Sequence, residues 1–133
     1  MLKTIRYQLP AIIWAIFITI LCEMPGLDSS KAGIPLFEGF DKLAHTGFFF
    51  VLTVLLFYGK IREQLSYSYR LLTILKILII TFSLGAFIEV LQMKIFTYRS
   101  AEWWDIFADM IGVGMGIFSY VLLHRVRFNE KLY

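Results

Sequence analysis

The residues best suited to chemistry in this sequence are a histidine and several carboxylates that recur at a spacing of four. Asp41 precedes His45 by four residues, and Asp105 precedes Asp109 by four. Side chains four residues apart lie on one face of an α-helix, so each pair presents its polar groups together. Such groups accept hydrogen bonds from a ligand, ligate a divalent cation or pass protons.

A third polar pair and two basic residues complete the candidate site. Glu89 and Gln92 lie within a long apolar stretch, where an ionisable side chain costs about 2–3 kcal/mol near the bilayer centre and so indicates function. Lys42 and Arg99 offer positive charge, and an arginine grips a phosphate or carboxylate with two parallel hydrogen bonds. We expect one binding site, with no catalytic or metal-ligating residue assigned, that contains Asp41, Lys42, His45, Glu89, Gln92, Arg99, Asp105 and Asp109.

The elements that carry these residues are predicted to be four membrane-spanning helices. Hydrophobic residues make up 59% of the 133-residue chain and charged residues 17%, which argues against a soluble domain, a disordered chain and a nucleic-acid-binding protein. Four apolar stretches approach the roughly 17–25 residues that span a bilayer. They lie at about residues 5–22, 43–59, 71–94 and 103–124. We therefore expect an all-α integral membrane protein with a single domain over residues 1–133.

The basic residues predict how these helices are oriented. With four spans, nine of the 13 lysines and arginines fall on the side that holds both termini and the loop at residues 59–70. Because cytoplasmic loops carry the excess of lysine and arginine, both termini are predicted to be cytoplasmic. The candidate site then lies at the outer end of the second, third and fourth helices. Lys76 is predicted to reach the opposite, cytoplasmic interface.

Small residues below the acids of the fourth helix predict close helix packing. Gly112 and Gly116 continue the face that holds Asp105 and Asp109. Glycines at this spacing let a second helix approach the backbone, as in membrane helix pairs with small residues four apart. We therefore expect the acidic face of this helix to point into the bundle.

The site residues together resemble a known family. The pattern is Asp41-Lys42-x-x-His45, Glu89-x-x-Gln92, Arg99 and Asp105-x-x-x-Asp109-x-x-Gly112-x-x-x-Gly116. In order and spacing it is similar to the VanZ-like family over about residues 10–123, although this family often has asparagine at the position of Asp109. The resemblance implies a small multi-pass protein of the bacterial cytoplasmic membrane. It also implies a link to the cell envelope and, from the member that names the family, to resistance against a lipoglycopeptide antibiotic.

Three functions fit these residues. We favour a non-enzymatic protein without a cofactor, whose outer pocket binds a membrane lipid, a lipid-linked head group or a lipoglycopeptide. The first alternative is a metal-dependent hydrolase or transferase in which His45, Glu89, Asp105 and Asp109 ligate a divalent cation. The second is a small proton-linked transporter, which would require a homo-oligomer because four helices form a thin pathway.

Overall fold

The computed structural model describes residues 2–24, 39–64, 71–95 and 102–130, with side chains up to residue 123 in the last segment. It contains four helices: α1 (Leu2–Glu23), α2 (Phe40–Gln64), α3 (Leu71–Ile95) and α4 (Trp103–Glu130). All four are long and apolar enough to cross a membrane. The structure thus confirms an all-helical protein with four candidate membrane spans, while the sidedness of the termini stays a prediction.

The helices extend beyond the apolar stretches that predicted them. α1 begins at Leu2 and α2 continues to Gln64, so each includes polar residues that the sequence prediction left outside. Backbone hydrogen bonds continue past the hydrocarbon boundary, since a helix satisfies its own backbone in water as well as in lipid. At the start of α2, Gly39 has a φ of 92°, and its carbonyl oxygen accepts a 3.1 Å hydrogen bond from the Leu43 amide. Glycine suits this left-handed position because it has no side chain.

The helices alternate in direction and form a four-helix bundle. α2 and α3 each contact all the other helices, whereas α1 and α4 make no contact with each other in the described segments. The end of α1, the start of α2, the end of α3 and the start of α4 therefore lie at the same end of the bundle. This end holds every described residue of the predicted site.

The most extensive packing is between α2 and α4, and it depends on glycine. A Cβ atom added to Gly112 would overlap the carbonyl oxygen of Thr46. A Cβ added to Gly116 would lie 2.7 Å from the Cβ of Thr53. The hydroxyl of Thr46 also donates a 3.1 Å hydrogen bond to the carbonyl oxygen of Ala108. The predicted close approach is thus confirmed, and its partner is α2.

Apolar side chains fill the middle of the bundle and also cover its outside. Phe49 and Leu52 of α2 pack with Ile18, Ile88 and Val113, all at most 2% exposed. Many large apolar side chains on the outer surface are more than 40% exposed. A hydrocarbon solvent tolerates such a surface, since lipid tails are as apolar as these side chains.

Candidate functional site

A buried histidine–carboxylate pair lies between α2 and α4. His45 is in the second turn of α2 and is 2% exposed, while Asp109 of α4 is fully buried. The His45 Nδ1 and the Asp109 Oδ1 are 2.9 Å apart. The other ring nitrogen, Nε2, lies 3.9 Å from the Asp41 Oδ1 and 3.9 Å from the Cys22 Sγ. The Asp109 carboxylate therefore fixes the orientation of the imidazole.

A lysine links the first turns of α2 and α4. The Nζ of Lys42 donates a 2.9 Å hydrogen bond to the Oε2 of Glu102 and lies 3.7 Å from the Oδ1 of Asp105. The Lys42 side chain is 41% exposed, whereas the Asp105 side chain is 5% exposed. Lys42 thus lies at the surface of the polar site and contributes positive charge beside a buried acid.

Glu89 connects α3 to the start of α4. Its Oε2 accepts a 3.1 Å hydrogen bond from the backbone amide of Glu102, immediately before α4 begins. The first amides of a helix have no partner within the helix, and a carboxylate there is favoured by the helix dipole. Glu89 is only 4% exposed, so its carboxyl group is held inside the bundle.

Gln92 points in a different direction from the acids. Its Nε2 donates a 2.9 Å hydrogen bond to the carbonyl oxygen of Cys22, in the last turn of α1. Because the last carbonyls of a helix lack an intrahelical partner, this side chain caps α1 and joins it to α3. The structure therefore places Gln92 next to the site, in a contact with backbone.

Three carboxylate oxygens of this site are buried and have no hydrogen-bond partner within the described segments: the Oε1 of Glu89, the Oδ1 of Asp105 and the Oδ2 of Asp109. Asp109 Oδ2 is turned toward α3, where a Cβ on Gly85 would lie only 2.8 Å from it. An unsatisfied buried acceptor costs about 1–3 kcal/mol, and more when it is charged. These oxygens therefore favour any ligand that brings donors to them.

Most of the predicted site residues lie together, and two further residues join them. Arg99 lies outside the described residues, so its position is not assigned. The sequence prediction missed Glu102, although it precedes Asp105 by three residues, and Cys22, which ends the first apolar stretch near the same level. We call the following set the His45 cluster: Cys22, Asp41, Lys42, His45, Glu89, Glu102, Asp105 and Asp109.

Part of the His45 cluster has the composition of a cation site. Asp41, His45 and Asp105 each offer one ligand atom, and these three atoms lie within 4.8 Å of one another. A metal-binding histidine usually has its second nitrogen held by a carboxylate, as Asp109 holds His45. Ligand atoms around a metal at about 2.0–2.2 Å lie closer together than this, so the three side chains would have to move inward.

Comparison with known proteins gives one family. The family model described as VanZ/LLP1 matches residues 3–124, which covers the four candidate membrane spans of the described segments except for Leu2. No curated protein and no solved structure matches it. The match confirms the family indicated by the spacing of the polar residues: this multi-pass membrane protein belongs to the VanZ/LLP1 family.

Proposed function

We propose that this protein binds the polar head group of an amphiphile at the His45 cluster, while the tail of the amphiphile lies against the apolar helices. The observation that carries the proposal is the set of three buried carboxylate oxygens without hydrogen-bond partners in the described segments. Ionised carboxylates only accept hydrogen bonds, so the head group that we propose supplies donors, such as sugar hydroxyls, amides or an ammonium group. A lipid-linked envelope intermediate or a lipoglycopeptide has this chemistry.

The existing contacts of the His45 cluster support a preorganised binding site. His45 is held by Asp109, and Lys42 is held by Glu102, so these groups form a fixed recognition surface. Lys42 remains partly exposed and is available to an anionic group of the ligand. We place this surface on the extracytoplasmic side of the bacterial cytoplasmic membrane, as the lysines and arginines predict.

The proposal is tested with two detergents that differ in hydrogen-bond donors. An alkyl glucoside has hydroxyl donors in its head group, whereas an amine oxide with the same tail has none. We expect added alkyl glucoside to raise the melting temperature of the protein in amine-oxide micelles. Glu89→Gln and Asp105→Asn should reduce this increase, because each changes a carboxylate acceptor into an amide.

Glu63→Gln is the matched control, since Glu63 lies at the opposite end of the bundle, where it contacts Thr4 and Lys60. This variant should keep the full increase in melting temperature. An increase of the same size in all the variants would come from the detergent itself and would contradict the proposal. Mass spectrometry of the protein with its co-purified lipids then identifies the natural amphiphile.

The second candidate function is metal-dependent hydrolysis or group transfer, favoured by the grouping of Asp41, His45 and Asp105. A divalent cation there would offset the excess of carboxylates and activate a water molecule. Lys42 opposes this function, because its ammonium group already lies 3.7 Å from Asp105. Elemental analysis after dialysis against zinc, manganese or magnesium decides between the two functions. One ion per chain, lost in His45→Gln, would favour the metal enzyme, and no bound ion would exclude it.

A further inference from the structure

The end of the bundle opposite the His45 cluster contains a cavity of about 560 Å³. We call it the lysine cavity. It is lined by α1, α2 and α3, and its basic residues are Lys60 and Lys76. Its volume is typical of a site for a small ligand or for part of a larger one. None of the residues of the His45 cluster lines it.

The inner part of the lysine cavity is apolar, and its polar lining lies toward the ends of the helices. On α1, Thr4 and Gln8 are followed one turn deeper by Ile12. On α2, the order from the end of the helix inward is Gln64, Lys60 and Leu56. On α3 the lining begins with Leu72 and continues with Thr73, Lys76, Ile77 and Ile80, so its inner end is also apolar. This arrangement matches an amphiphile whose head lies at the membrane surface and whose tail points inward.

The two lysines of the lysine cavity differ in their partners. Lys60 binds Glu63 at 2.8 Å, and Glu63 also accepts a 2.6 Å hydrogen bond from Thr4. Lys76 makes no ion pair or hydrogen bond with any residue of the described segments, although it lies in the second turn of a membrane span. A lysine within a span is costly unless its charge reaches water or an anion. Glu63 offsets Lys60, so Lys76 is the lining lysine without an acidic partner in the described segments.

We propose that the lysine cavity binds one anionic phospholipid of the surrounding membrane. The phosphate lies beside Lys76 and Lys60, and an acyl chain lies against Ile12, Leu56 and Ile80. The positive charge of Lys76 suits the negative charge of a phosphodiester, and the apolar inner part of the cavity suits a tail. The sequence predicts that this end is cytoplasmic, where a negative membrane surface attracts basic residues.

The test is competition between lipids on the purified full-length protein. The protein is reconstituted in nanodiscs with equal amounts of phosphatidylglycerol and phosphatidylcholine. It is then released from the nanodiscs in the mass spectrometer, and the lipids that stay bound to it are counted by native mass spectrometry. We expect one preferentially retained phosphatidylglycerol. Lys76→Gln should lower this preference about fivefold, the effect of about 1 kcal/mol for one lysine near an anionic lipid. Lys60→Gln should have a smaller effect, because Glu63 already binds Lys60.

The matched control is Lys94→Gln, since Lys94 is an exposed lysine in the last turn of the same helix. An equal loss in Lys94→Gln, or no preference in the wild type, would overturn the proposal. Inorganic phosphate is added in a separate arm. If it displaces the retained lipid from the wild type at millimolar concentration, the cavity binds a free anion and the lipid assignment is wrong. Because Lys76 is exposed, circular dichroism should show the same helix content in its variant.

Discussion

At one end of the bundle the polar side chains of four helices are buried against one another, whereas at the other end two lysines line an open cavity. In the His45 cluster, His45, Glu89, Asp105 and Asp109 are all at most 5% exposed. In the lysine cavity, Lys60 is half-buried and Lys76 is exposed. The comparison shows that ionisable residues in a membrane span are accommodated in two ways, by a buried partner or by access to the surface.

The two ends of the bundle differ in which helices approach each other closely. Near the His45 cluster, the backbone of α4 at Gly112 lies directly on α2 at Thr46. At the other end, Gly59 lets α1 approach α2, because a Cβ there would lie 2.7 Å from the Tyr7 carbonyl oxygen. The lysine cavity forms beside this contact, between the α1–α2 pair and α3. A close backbone contact therefore occurs at each end, between α2 and α4 at one and between α1 and α2 at the other, and the lysine cavity lies between the second contact and α3.

The largest effect is expected from Gly112→Ala, which tests whether the α2–α4 contact closes the His45 cluster. The added methyl group overlaps the backbone of Thr46, which cannot move without separating the two helices. We expect a loss of more than about 4 kcal/mol in the free energy of unfolding, an exceptional value for one substitution. Denaturant titration in mixed micelles measures it.

Gly114→Ala is the control for this substitution, because a Cβ at Gly114 meets nothing within 4 Å in the described structure. It should stabilise the helix by about 0.5–1 kcal/mol, since glycine is a poor helix former. If the two alanine variants were equally stable, the close approach of α4 to α2 at Gly112 would not be needed to hold the His45 cluster closed.

The next largest effect is expected from Asp109→Ala, which removes the carboxylate beside His45. Breaking a buried charged pair leaves the other group without compensation and costs about 3–5 kcal/mol. Asp109→Asn keeps an oxygen that accepts a hydrogen bond from His45, so it should cost only about 1 kcal/mol. The difference between the free energies of unfolding of the two variants, measured in the same micelles, gives the contribution of the negative charge of Asp109.

The corresponding change at the lysine end is Glu63→Gln. Glu63 pairs with Lys60, whose side chain is 34% exposed, so we expect a loss of less than about 1 kcal/mol. A loss as large as that of Asp109→Ala would remove the distinction between a buried and an accessible end.

A smaller effect than that of Asp109→Ala is expected from Gln92→Met, which tests the link between the His45 cluster and α1. Methionine has a similar shape but cannot donate a hydrogen bond to the Cys22 carbonyl oxygen. The loss of one buried hydrogen bond should lower the free energy of unfolding by about 1 kcal/mol. Gln64→Met, at the rim of the lysine cavity, is the control and should have no measurable effect on stability. Equal losses would assign Gln92 no particular role in joining α3 to α1.

Much of the polar end was predictable because its pattern is local. The spacing of Asp41 and His45, and that of Asp105 and Asp109, places each pair on one helix face whatever the packing. The glycines of α4 likewise predicted a close contact. The roles of Glu102 and Cys22 were not predictable, since each depends on a residue more than ten positions away in the sequence.

The sequence by itself determined that this chain forms four long apolar helices, and it determined the family to which the chain belongs. Both follow from local properties, namely hydrophobic length and the spacing of polar residues. Only the tertiary structure decided that His45 pairs with Asp109, that Gln92 caps α1 and that Lys60 and Lys76 share a cavity. These contacts join helices that are distant in the sequence. They depend on how far apart the helix backbones lie and on the angles at which the helices cross, and no single segment encodes either property.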